Sequence, residues 1–274
     1  EMKSTFCLAR RGEAYLYQHI GDLWEESAFT FFRETFAKHC RLLDLEPGMV
    51  VCDRHPDYLS TRFAEELARE RGLPLRRVQH HRAHIAAVFA ECGFEGKALG
   101  VALDGTGLGD DGTIWGGEFF LCRGAAMTRW AHLEPFPLPG GDRAVKEVWR
   151  IAQALLDQHG VAAGGGGSLA EVPAELRRAM GKLAPAAPRT SSMGRLFDAA
   201  AVFAGLGPEA PHEAGAAMAL EGAWPGPGEP WPFTLEGEGP IRIGLGPLVA
   251  AMAARAGEGA AISARFHATV AEMI

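Results

Sequence analysis

The chain has 274 residues, 47% of them hydrophobic, with 34 acidic against 27 basic side chains and a formal net charge of -7. That is enough apolar material for one large domain or two lobes. The acidic balance argues against a nucleic-acid partner, which needs clustered Lys and Arg, and no apolar run approaches the roughly 20 residues that cross a bilayer. The opening residues lack a signal-peptide pattern, so a cytoplasmic location is expected. Cys7, Cys40, Cys52, Cys92 and Cys122 form no CxxC pair and sit mostly in apolar runs. They read as buried thiols, not as a zinc knuckle or a disulfide framework.

Residues 4–8 and 13–17 read as two short strands joined at Arg10-Arg11-Gly12. A helix follows, with Phe29, Phe32, Phe36 and Cys40 on one buried face, and Pro47-Gly48 ends that unit ahead of a buried strand at 49–52. The loop after this strand holds His55 and Asp57, which are secondary site candidates because open α/β sheets place ligands at strand carboxyl ends; helix capping explains Asp57 equally well. An amphipathic helix to about residue 71 and a strand at 75–78 complete an alternating α/β pattern.

The stretch 78–118 carries the chemistry. His80 and His84 are four residues apart at the start of a helix-forming run, which puts both imidazoles on one face, where they can share a metal ion. The same spacing also describes surface and capping pairs. A third ligand is needed, and Asp104, at the end of the apolar strand 98–103, is the candidate. Asp104 opens a glycine-rich turn, residues 104–112, read as the tip of a hairpin whose second strand covers 113–121. Glycines let backbone N–H groups come close to an anion, so such a tip can cradle a phosphate. The stretch is neither a P-loop nor a dinucleotide fingerprint, since no Lys-Ser/Thr follows and no helix opens there.

Residues 135–142 form a rigid, Pro- and Gly-rich crossing, and one helix is expected over 143–159. Arg143 and Lys146 at its start oppose the helix dipole and hint at an anionic ligand, although a solvated face explains them too. Flexible links at 164–167 and 184–188 precede a capped helix over 191–206. Asp198 interrupts the apolar face of that helix and needs a partner, a ribose hydroxyl or an Arg. Further helices are expected at 212–221, 247–254 and from about 261, with a strand at 241–243.

The segments VQHHRAHIAAVFAE, ALDGTGLGDDGTIWGGEF, CDRHPDYLSTRFA, QHIGDL, PLPGGDRAVKEVWR and SMGRLFDAAA, in this arrangement, resemble the HypF carbamoyltransferase family of [NiFe] hydrogenase maturation factors. The resemblance runs from about residue 3 to the end and covers the HypF region similar to the tRNA threonylcarbamoyl transferase TsaD. It implies an α/β, duplicated actin-like (ASKHA) fold, with one lobe over 1–135 and a second over 136–274 whose C-terminal part is incomplete. It implies carbamoyl transfer from carbamoyl adenylate, made from carbamoyl phosphate and ATP in a YrdC-like region, to the C-terminal cysteine of HypE, on the way to the cyanide ligand of the hydrogenase iron. The family's metal ligands fall on His80, His84 and Asp104, for iron, zinc or magnesium; its phosphate-lining residues fall on Gly105, Thr106 and Gly107; and Asp198 would bind the ribose.

Where the family has Tyr-Glu-Gly-Gln this chain has His212-Glu213-Ala214-Gly215, so only Glu213 carries over. The family's late Ser-Gly-Gly and final metal-binding Asp have no counterpart here, and inactivity of this piece alone is an expectation that follows. The competing readings are a TsaD-like tRNA-modifying enzyme, which the acidic balance and the HHRAH and LDGTGLGDDG forms disfavour, and a non-catalytic nucleotide-binding module of ASKHA type.

Overall fold

A computed structural model describes residues 3–274. They fall into two compact units, Glu1–Ala83 and His84–Ile274. In the first, β1 (Cys7–Arg10) and β2 (Glu13–Leu16) form an antiparallel hairpin whose turn residues Arg11 and Gly12 both take positive φ, 53° and 84°. That is the backbone hand a two-residue hairpin turn requires. Helix α1 (Glu26–Leu42) buries Phe32, Thr35, Phe36 and Cys40, a stripe at helical spacing. Leu8, Leu45 and Leu67 join Phe36 and Cys40 in a small core.

Strand β3 (Val50–Asp53) runs parallel to β4 (Leu75–Val78), and α2 (Leu59–Arg71) is the crossover between them, ended by Gly72 in the left-handed conformation. The expectation of a buried strand at 49–52 is not met: Val51 is 56% exposed. Side chains alternate across a strand, so Val51 takes the face opposite to that of the partly buried Val50 and Cys52. Helix α3 (His80–Cys92) follows β4 and continues unbroken into the second unit.

The second unit is built on a seven-stranded sheet in which β5 (Lys97–Leu108), β6 (Ile114–Arg123) and β7 (Ala126–Leu133) form an antiparallel meander. The short β8 (Phe136–Pro137) and β9 (Arg189–Thr190) join near Ile114, while β10 (Thr234–Glu236) and β11 (Ile241–Gly244) extend the other edge beside β7. The sheet therefore takes strands from both sides of residue 135. Helices α4 (Asp142–Lys146), α5 (Trp149–His159), α6 (Ala174–Leu183), α7 (Met193–Ala204), α8 (Gly215–Gly222), α9 (Gly246–Ala254) and α10 (Gly259–Met273) complete the unit. Helix α7 is buried nearly all round and packs on α5, α8, α10 and β5; Ala199, Ala200 and Ala201 are small enough to admit these neighbours.

Several expectations are corrected. Asp104, Gly105, Thr106 and Gly107 are not in a hairpin tip. Strand β5 continues through them to Leu108, and the turn lies at 109–113. The glycines serve a bulge: Leu103 pairs with Gly117 and Gly107 with Trp115, so three residues of β5 face one of β6. The helix expected over 143–159 is broken at Glu147 and Val148 into α4 and α5. Only Cys40 and Cys122 are buried thiols; Cys7 and Cys92 are exposed. The sequence reading also missed β7 and β10.

Candidate metal and phosphate site

Helix α3 starts where Gln79 caps it. The Gln79 side-chain oxygen accepts the Arg82 N–H at 3.0 Å, and its amide nitrogen contacts the buried His81 ring at 3.1 Å. His81 is thereby turned into the protein, and His80 and His84 share another face one turn apart. His80 is held from behind. Its Nδ1–H donates to Asp53 Oδ2 at 2.6 Å, while Asp53 Oδ1 accepts the His55 N–H at 2.9 Å. Burial alone would push the Asp53 carboxyl up, but the hydrogen bonds from His80, His55 and Arg54 outweigh it and hold the carboxyl below the usual carboxylate range. A metal-binding histidine held through Nδ1 in this way would ligate through Nε2.

Asp104 lies in the β5 bulge. Its Oδ1 accepts the Gly105 N–H at 2.6 Å, and its Oδ2 is 3.7 Å from His84 Nε2. One ligand atom from each of His80, His84 and Asp104 lies within 4.8 Å of the other two. Metal–ligand bonds of about 2.0–2.2 Å put donors roughly 3–3.5 Å apart, so small side-chain adjustments close this set on an ion. Two imidazoles and a carboxylate suit zinc or ferrous iron and leave coordination positions open. The donor chemistry and the carboxylate behind His80 both fit a resident divalent cation.

The bulge is clamped from α7. The Ser192 hydroxyl lies 2.7 Å from the Asp104 carbonyl and 2.9 Å from that of Gly105, to which it donates, and it accepts the Arg195 N–H at 3.1 Å as the helix cap. The backbones approach so closely that a Cβ at Gly194 would stand 2.9 Å from Gly105 Cα, and one at Gly116 would stand 2.5 Å from the Asp104 carbonyl oxygen. Gly105 and Thr106 are presented in the bulge, while Gly107 returns to the ladder opposite Trp115. Beside them, Arg129 stacks on the Trp115 ring at 3.8 Å and donates to the fully buried Glu118 at 2.6 Å. Glu118 in turn accepts the Ser191 hydroxyl. Asp111 accepts the Trp115 indole N–H at 2.9 Å.

Asp198, 2% exposed on α7, finds an Arg: Oδ2 is 3.0 Å from Arg195 Nη1. Burial pushes its carboxyl up to about 6, with Arg195 opposing. Glu213 is exposed ahead of α8. Of the secondary candidates, His55 stacks on Tyr58 at 4.2 Å, Asp57 pairs with Arg62 at 2.9 Å, and Arg143 pairs with Glu147. Sequence reasoning passed over Asp53, Ser192 and Arg195. Asp53 was findable as the last residue of a strand leading into the same loop region as His55; Ser192 was legible only as a helix cap.

A family profile described as "HypF Kae1-like domain" matches residues 1–91, and one described as "Carbamoyltransferase, Kae1-like Domain, second subdomain" matches residues 100–274. Among curated relatives, carbamoyltransferase HypF2 of Cupriavidus necator is 47% identical over 235 residues, covering 83% of this chain and 29% of its own length. Carbamoyltransferase HypF of Rhizobium leguminosarum bv. viciae is 43% identical over 231 residues, covering 81% and 29%. Among solved structures, full-length HypF in its phosphate- and nucleotide-bound form superposes with a TM-score of 0.89 at 33% identity, over 99% of this chain and 36% of that one. HypF of T. kodakarensis gives 0.79 at 29% identity. The chain thus spans under a third of the length of these curated relatives.

Proposed function

Because the chain belongs to the HypF carbamoyltransferase family and shares its α/β, ASKHA-like fold, we propose that it serves carbamoyl transfer in hydrogenase maturation, passing the carbamoyl group of carbamoyl adenylate to the C-terminal cysteine of HypE. The adenylate would come from carbamoyl phosphate and ATP in another region of the full protein, and the group delivered would become the cyanide ligand. The observation that carries this reading is the convergence of His80, His84 and Asp104 within 4.8 Å of one another, beside a glycine bulge, in a chain with this ancestry.

In the reaction the partner's sulfur attacks the carbamoyl carbon, a C–S bond forms, the C–O bond to phosphate breaks, and AMP leaves. His80, His84 and Asp104 would hold a divalent cation, iron, zinc or magnesium, which when bound supplies Lewis-acid polarisation and a template for the anhydride. The chain's own residues position. Asp53 aims His80, Ser192 fixes the backbone at Asp104 and Gly105, and Gly105, Thr106 and Gly107 let a phosphate come close. Oδ2 of Asp198 faces Arg195, which leaves Oδ1 for a ribose hydroxyl, and Glu213 would join it in holding the nucleotide. The nucleophile in this reaction belongs to the partner, and burial pushes the Cys40, Cys52 and Cys122 thiols up, away from the reactive thiolate.

The test is mass spectrometry of HypE after incubation with the full-length protein, ATP and carbamoyl phosphate. A carbamoyl adduct on the HypE C-terminal cysteine, lost with His84→Ala, is the expected result. Modification of tRNA with HypE left untouched would replace the reading by the TsaD-like one, and nucleotide binding without any transfer would leave a non-catalytic module.

A further inference from the structure

The least satisfied buried cation in the second unit stands next to the glycine bulge. Arg195 is the third residue of α7 and 7% exposed, and its Nε and Nη1 are buried with no hydrogen-bond acceptor among the described residues. Asp198 Oδ2 is close enough to neutralise its charge, at 3.0 Å, but is likewise without a hydrogen bond, so the two are near each other and not aligned. A buried ion pair that serves stability alone is held in place by good hydrogen-bond geometry, because proximity without alignment does not offset desolvation. Arg195 has five N–H donors in a rigid fork, and its own helix satisfies few of them.

One edge of the guanidinium faces Gly105. An ideal Cβ on Gly105 would lie 3.5 Å from Arg195 Nη2. Gly105 is not among the residues with left-handed φ, so the backbone does not call for glycine there. What glycine does is keep a side chain off Nη2. The Ser192 cap fixes the first turn of α7 against the bulge, so this edge of the guanidinium is held next to Gly105, at the positive end of a 12-residue helix.

We propose that Arg195 is a ligand-binding residue that donates through its guanidinium to a phosphoryl oxygen seated at the Gly105 bulge, with Asp198 orienting the fork. The ligand class is a phosphate monoester or anhydride, whose oxygens match a planar guanidinium. The proposal rests on the phosphate reading of the glycine strand given above and adds to it a cation that turns a permissive backbone into a selective anion site.

The experiment is titration calorimetry of this 274-residue chain with ADP, adenosine and pyrophosphate, on the wild type, Arg195→Lys, Arg195→Gln and Gly105→Val. Charge-assisted hydrogen bonds of this kind correspond to about 10- to 100-fold in affinity. Arg195→Gln is expected to weaken ADP by that factor and leave adenosine within about twofold, with Arg195→Lys in between. Gly105→Val sets its side chain against Nη2 and is expected to weaken ADP in parallel; if Arg195→Gln melts out in circular dichroism, Arg195→Lys, which keeps the charge and loses the planar fork, carries the test. ADP affinity unchanged in Arg195→Gln and Gly105→Val overturns the assignment and leaves nucleotide binding standing. Binding of pyrophosphate but neither ADP nor adenosine, dependent on Arg195, upholds the assignment and removes the nucleotide reading. A wild type that takes up no phosphate-bearing probe overturns both.

Discussion

Asp53, at the end of β3, holds the Nδ1–H of His80 at 2.6 Å, so the first imidazole of α3 is oriented before any ion arrives. Removing that carboxylate leaves His80 in place and takes away the hydrogen bond that fixes its Nδ1–H tautomer. Asp53→Ala is therefore expected to weaken zinc about 10- to 100-fold in a chelator-competition titration, with Asp53→Asn intermediate because its carbonyl still accepts the Nδ1–H. Zinc affinity equal to wild type in Asp53→Ala would show that the carboxylate does not act on the ligand.

His84 is the most exposed of the three donors, at 58% for its side chain, and little packing depends on it. His84→Ala should lose bound metal, read by elemental analysis of the purified protein, with a change in unfolding free energy within about 0.5 kcal/mol. Retained metal would refute the ligand set.

Gly194 has no room for a side chain, because a Cβ there would stand 2.9 Å from Gly105 Cα. The three nearest atoms, in Gly105 and Asp104, are all backbone, and none yields by changing rotamer. Gly194→Ala is expected to cost about 1–3 kcal/mol in urea denaturation, despite the better helix propensity of alanine. A stabilised variant would mean that α7 does not press on the bulge as described.

Asp198 gives a pH signature whose sign follows from its raised carboxyl. Its pKa moves from 3.8 in the unfolded chain to about 6 in the folded protein. Between these values the native state holds the proton that the unfolded state has lost, so this group's contribution to stability falls as pH rises from about 4 to 6. The penalty is complete above that window, at about 3 kcal/mol. Asp198→Asn should flatten the slope of unfolding free energy across pH 4–6 relative to wild type; equal slopes would contradict the buried, poorly compensated carboxylate.

Arg129 is the counter-charge of Glu118, which is fully buried. Arg129→Ala strands that carboxylate and uncovers Trp115, so unfolding free energy should drop by about 3–5 kcal/mol. Arg129→Met with Glu118→Gln together should recover much of it, because no uncompensated charge remains. Additive losses in the double variant would rule out the pairing.

Much of this was legible from residue order. The His80 and His84 spacing, the apolar strand before Asp104 and the Ser192 cap are local signals, and each becomes the element its pattern implies. The bulge was not legible, because glycines at 105, 107 and 109 suit a turn as well as an irregular strand, and pairing to β6 decides between them. The break at Glu147 and Val148 hides behind good helix formers. The partners of Asp53 and Arg195 become visible only once long-range contacts bring them to His80 and Gly105; strand position marks Asp53 as a candidate without saying what it holds.

Ladder pairs on both flanks of the three-against-one mismatch, Leu103 with Gly117 and Gly107 with Trp115, make residue count there a matter of parity. Losing or gaining a single amino acid between those anchors would send the carboxylate to the opposite side of the sheet or slide the whole downstream strand by one step. Natural variation at this point should consequently be rich in exchanges of side chain and poor in changes of length.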